Sequence, residues 1–126
     1  MHDQPSVREL IQAVKNFVDE TAMPELNGRA GFHARVTSNV LGTILRDIEM
    51  RESADKREKV RLLDLLNASA ETPLPKLNDD LCQRIRAGEL TIRSDELMDH
   101  LKMTAIDQLK VDQPNYSALK KAIEEP

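Results

Sequence analysis

A chain of 126 residues, 40% hydrophobic and 32% charged, is long enough to bury about two-thirds of its unfolded surface as one domain, and its composition suits a soluble helical protein. A net charge of −4 and only three aromatic residues, Phe17, Phe32 and Tyr116, work against nucleic-acid binding, because phosphate meets no excess of cations and bases meet no stacking platform. The single cysteine, Cys82, excludes an intrachain disulfide. No stretch approaches the roughly 18 apolar residues of a membrane span, and the opening MHDQPSVREL lacks the pattern of a signal peptide, so a cytoplasmic location is expected.

Pro5 and Ser6 open the first helix, with Ser6 and Glu9 at capping-box spacing. Val7, Leu10, Ile11, Val14, Phe17 and Val18 follow a helical period, and Pro24 predicts a stop near Met23. The segment 24–31 leads into the central helix, Arg29 to Met50, where Gly28 and Gly31 mark the turn. Phe32, Val36, Val40, Ile44 and Ile48 form a ridge at i, i+4 spacing, widened by Ala34, Leu41 and Leu45. Such a ridge predicts a hub surrounded by the other helices. Arg35, Asn39, Gly42, Arg46 and Glu49 share its remaining side.

Asp47 with Arg51, Glu52 with Lys56 and Asp55 with Lys59 are acidic-then-basic pairs at i, i+4. The charged run 51–61 reads as a solvated turn and helix face, with a break near Ser53 and a third helix over 54–67 whose Val60, Leu63 and Leu66 point inward. An unbroken helix from Gly31 to Asn67 is the alternative. The eight residues Ala68 to Pro75 separate two helical layers. Pro75 suits the first turn of a fourth helix with a ridge of Leu77, Leu81 and Ile85, Arg84 and Arg86 in its last turn and a stop at Gly88. Leu90 and Ile92 alternate with polar residues but have no partner strand, so 89–93 reads as an extended connection. Ser94 caps a fifth helix with Leu97, Met98, Leu101, Ala105 and Leu109 inward; Pro114 ends it, and 117–125 adds a short terminal helix. The expected architecture is all-α, a compact single domain of about five helices plus that short one.

His33 lies within the apolar arc of the central helix. Imidazole there could act as a general base or ligand, but a core histidine satisfied by a carbonyl or carboxylate is the plainer reading, since no nucleophile and orienting group accompany it. Arg35, Asn39 and Arg46 make a polar strip able to grip a phosphate or carboxylate, against the blander reading of a solvated face. Together with Tyr116 these four form the candidate ligand-binding set. His2, His33 and His100 are far apart; Glu96 and His100 share a helix face, but no Glu-x-x-His repeat, HExxH or paired cysteine supports a metal. Cys82 reads as a small hydrophobe beside Leu81. The glycines match no phosphate loop, which disfavours the familiar nucleotide-dependent enzymes, and no cofactor is expected.

Several stretches resemble a bacterial family, domain of unknown function 6285: the opening MHDQPSVRELIQAVKNFV, Phe32-His33-Ala34-Arg35-Val36 followed by Asn39, LCQRIRAGEL at 81–90 and LKVDQPNYSAL at 109–119. Genes of that family often lie beside those for acyl-CoA dehydrogenases and for phosphotransferases resembling aminoglycoside kinases. The resemblance implies an accessory role in acyl-CoA metabolism and supplies no catalytic residues. The leading expectation is therefore a noncatalytic helical accessory domain working with such an enzyme. The rival is an enzyme or a binder of an acidic or CoA-linked molecule using His33 with Arg35 and Asn39. A homodimer burying surplus apolar surface is the third option.

Overall fold

The structure, a computed structural model, describes residues 3–125, so His2 lies outside the described residues. It is all-α. Helix α1 (Val7–Phe17) continues through a π-helical turn (Val18–Ala22) into the short α2 (Met23–Glu25); then follow α3 (Gly28–Leu66), α4 (Leu74–Arg86), α5 (Asp95–Asp112) and α6 (Ser117–Glu124). No strand occurs among the described residues, and Leu90 and Ile92 fall in a loop. The chain divides into two compact units, Met1–Met50 and Arg51–Pro126.

Helix α3 is 39 residues long and passes Ser53 without the expected break. Between Gly42 and Leu66 it contains no glycine or proline, and Lys56 reaches back one turn to Glu52 at 2.5 Å. That contact holds the Glu52 carboxyl below its ordinary range. A run of charges at helical spacing supports a helix as well as it supports a turn.

In the first unit, the capping box forms: Glu9 N–H donates to Ser6 Oγ at 3.2 Å, and Ser6 N–H to Glu9 Oε2 at 2.7 Å. The helix does not stop before Pro24. Pro24 occupies the first turn of α2, and the rod ends two residues beyond Met23, at Glu25. Leu26 is extended, and Gly28, at φ +58°, turns the chain into α3.

The face of α3 that closes on α1 is not the apolar ridge. It is the buried side with Ala34, Ser38, Gly42 and Leu45, on which Ser38 meets Asp19 and Gly42 lies against Lys15, while Gly31, also buried, backs onto Leu26 of the turn. Apart from Leu45 these residues are small, and they recur every three or four positions. The ridge Phe32, Val36, Val40, Ile44 and Ile48 is centred roughly 160° round the helix from that seam and is 39–55% exposed. The hub expectation is therefore overturned, and Gly42, assigned above to the polar side, belongs to the seam. On α1 no residue is buried, and Val7, Leu10, Val14 and Phe17 are open to solvent.

The principal core lies in the second unit: Leu62 and Leu66 of α3, Leu77 and Leu81 of α4 and Leu97 of α5. Leu62 and Leu77 are completely enclosed. Pro75 sits in the first turn of α4 as expected, whereas Ile85 at the far end of its ridge is exposed, and so is Cys82. Arg84 ties two helices together, donating to Asp80 one turn earlier and to the carbonyl of Leu66 at the end of α3, both at 3.1 Å. Ser94 precedes α5 but does not cap it; its hydroxyl accepts from Thr91 N–H at 3.0 Å. The face α5 buries is Leu97, His100, Ile106 and Val111, while Met98, Leu101 and Ala105, expected inside, are exposed.

Candidate functional site

The sequence-derived set divides between the units. His33 is exposed in the first turns of α3, its ring edge-on to Phe32 with centroids 5.6 Å apart. Arg35 and Asn39 are exposed, and Arg46 is half-buried, with Nη2 donating to Thr43 Oγ1 at 3.2 Å. By helical period Arg35, Asn39 and Arg46 line one flank, and His33 points more than a third of a turn away from it. Tyr116, in the second unit, is about half exposed just ahead of α6. Within the first unit, the imidazole and the arginine strip therefore face different directions.

The polar centre of the first unit is one that residue patterns did not single out. Asp19, in the π turn, accepts from Ser38 Oγ across the hairpin and pairs with Lys15 one turn back at 2.6 Å. Lys15, followed by Ser38, holds the Asp19 carboxyl below its ordinary range. A π turn inserts one residue into the helical spacing, and such insertions often re-aim a functional side chain.

The second unit holds a larger polar seam between α3 and α5. Arg57 donates to Asp107 at 3.0 Å, Arg61 to Thr104 at 3.2 Å, and Asn78 of α4 to Glu58 at 3.0 Å. His100 is 3% exposed. Three buried atoms in this seam lack a hydrogen-bond partner: Arg61 Nε, His100 Nδ1 and Asp107 Oδ2. Burial, followed by the positive charge of Arg61, lowers the His100 pKa, and Glu58 only partly opposes them. The imidazole is therefore neutral at physiological pH, and an acid–base role for it would begin from the unprotonated form. The charged run is thus not simply solvated, because Arg57, Glu58 and Arg61 enter this seam. Glu96 is exposed while His100 is buried, so the pair does not meet as two ligands. Among the described residues no three His, Cys, Asp or Glu side chains gather as a metal site.

The spacing Leu97, His100, Thr104, Asp107 and Val111 alternates three and four, the rhythm of a helix-pairing seam. That rhythm was the available signal for His100. The apolar set Met98, Leu101, Ala105 and Leu109 masked it by offering an equally regular stripe. A groove of about 500 Å³ lies between α5 and α6, lined by Met103, Ile106, Ala122 and Ile123 with Asp99 and Lys102 at its edge. No helix among the described residues is long and apolar enough to cross a membrane.

Comparison with known families finds one match, to the family described as domain of unknown function (DUF6285), over residues 24–116. The chain belongs to this family. The matched segment begins at Pro24 and contains α3, α4 and α5 with the whole candidate set, from His33 to Tyr116. Helix α1 lies outside it, so the resemblance of the opening residues falls beyond the matched part. No curated protein and no solved structure matches the chain.

Proposed function

We propose that this chain is a noncatalytic helical accessory domain, bacterial and cytoplasmic, whose work is association with an enzyme of acyl-CoA metabolism or with a phosphotransferase-like protein. The observation that carries the reading is the inverted first unit. Its two helices meet at Ser38 and Gly42 while their apolar stripes, Val7 to Phe17 and Phe32 to Ile48, are largely open to solvent. Contiguous exposed apolar surface beyond a few hundred Å² marks an interaction site more often than it marks a free surface. The kind of enzyme is drawn from the gene neighbourhood that the family resemblance implies.

Co-purification tests the reading. The tagged chain, expressed in its native host at natural abundance, should retain an acyl-CoA dehydrogenase or a phosphotransferase-like protein through washing. Recovery of the tagged chain with neither enzyme overturns it. The competing reading, a binder of an acidic or CoA-linked molecule, draws its support from the flank shared by Arg35, Asn39 and Arg46. It predicts that coenzyme A raises the melting temperature and that Arg35→Ala removes the response.

A further inference from the structure

The groove between α5 and α6 joins apolar walls to an unevenly charged rim. On α5, Asp99, Lys102, Met103, Ile106 and Lys110 recur at three- and four-residue steps and line one side of the helix. Buried Leu119 seats α6, and beyond it Ala122 and Ile123 form the facing wall. The space between the walls, about 500 Å³, is the size of a small-molecule pocket. Met103 is 39% exposed and Ile123 54%, so their apolar surface meets water.

The two ends of the groove differ. At one, Lys102 Nζ donates to the carbonyl oxygen of Glu125 at 3.4 Å, and the carboxyl groups of Asp99 and Glu125 share that end. Lys110 stands at the other, about 12 Å further along α5 at the helical rise. Its ammonium meets Asp107 Oδ1 at 3.7 Å, the same oxygen that accepts from Arg57 at 3.0 Å. One carboxylate therefore answers two cations, and Lys110, the more distant of them, lines the groove.

We propose that this groove binds an ionised fatty acid of medium chain length. Its carboxylate meets the Lys110 ammonium, and its chain lies along Met103, Ile106 and Ile123. The stretch from Lys110 to Lys102 accommodates about eight to ten carbons. A neutral chain of the same length would leave the shared Asp107 as the only answer to Lys110, and a cationic one would meet like charge there. Reversal of the ligand would set its carboxylate against Asp99 and Glu125, so the charges also fix its direction. The site lies wholly within the second unit and does not depend on the association reading above.

The test is titration of the full-length chain with octanoate, octylammonium and octanol, from about 10 µM to 2 mM, read by the carbon-13 methyl signal of Met103. Octanoate should give a saturable shift, with octylammonium and octanol at least about tenfold weaker. Lys110→Gln should weaken octanoate about tenfold, and Lys110→Arg should restore most of the loss. Ile123→Ser should weaken it about fivefold. Both positions are open to solvent, and circular dichroism checks that helix content is unchanged. Arg35→Ala, which removes the coenzyme A response on the competing reading, should leave octanoate binding as it is. The proposal is overturned by the absence of a saturable shift, by octanol or octylammonium binding as tightly as octanoate, or by binding that Lys110→Gln leaves intact. Loss of binding in Arg35→Ala overturns it as well. A chain that binds octanoate yet retains no enzyme refutes the accessory role alone, and one that retains an enzyme without binding octanoate refutes the groove alone.

Discussion

Ser38, in the seam of α3, gives its hydroxyl hydrogen to Asp19, which sits in the one π-helical turn of the opening rod. This bond crosses the hairpin, and the Lys15 pair on the other carboxylate oxygen holds Asp19 in place for it. Ser38→Ala should lower the melting temperature by about 2–5 °C. The lowered Asp19 pKa also sets a pH dependence. The unfolded carboxyl takes up its proton near 3.8 and the folded one only below that, so the contribution is complete above pH 3.8 and lost on further acidification. Carbon-13 NMR titration of the Asp19 carboxyl should show a lower midpoint in the wild type than in Ser38→Ala.

Two glycines in the same helix should respond oppositely to alanine. A Cβ at Gly31 would stand 2.8 Å from the carbonyl oxygen of Leu26, a backbone atom with no freedom to step aside. Gly31→Ala should cost about 1–3 kcal/mol. At Gly42 the nearest atoms are the far ends of Arg46 and Lys15, at 3.3 and 3.6 Å, which can swing away. There alanine brings its helix preference of up to about 1 kcal/mol, and Gly42→Ala should be neutral to stabilising. Urea unfolding of both variants measures the difference.

His100 makes stability fall on mild acidification. Its folded pKa lies below the usual 6.5, so as pH drops through 6.5 the unfolded chain binds a proton that the folded chain refuses. Between the two values stability decreases with falling pH, and the His100 contribution is complete above 6.5. His100→Leu should flatten this part of the stability profile. Unfolding free energies measured at half-unit intervals from pH 7.5 to 5 would show whether the slope goes with the imidazole.

The two apolar sets should separate in a scan of truncations. Leu77, 1% exposed, should lose about 2–5 kcal/mol on Leu77→Ala. Phe32, 55% exposed on the ridge that the sequence places at the centre, should change stability by no more than about 0.5 kcal/mol on Phe32→Ser, read by the denaturant midpoint.

Several helix ends were legible, because their signals are local, although the stops expected near Met23 and Ser53 did not form. Ser6 with Glu9, Pro75 in a first turn, and the positive φ of Gly88 after α4 are each set by chemistry within a few residues. Which side of a helix is covered was less so. In α3 the period marks the ridge from Phe32 to Ile48 as apolar, but whether it meets the same chain depends on the partner surface, and α1 meets the glycine and serine side instead. In α5 two stripes have equal regularity, and only the arginines of α3 decide that the one with His100 and Asp107 turns inward. His33 drew notice for lying among apolar residues, yet those residues are themselves exposed, whereas His100 is enclosed in a polar seam.

The contacts between α3 and α5 also act as a vernier. Arg57 finds Asp107 and Arg61 finds Thr104 in a single alignment. Sliding α5 by one turn, about 5.4 Å, would set Asp107 against a different rung and strand a guanidinium beside greasy neighbours. Leucine against leucine tolerates such slippage, whereas charged teeth do not. The second unit thus obtains one stacking of its rods from the very groups that are costliest to enclose.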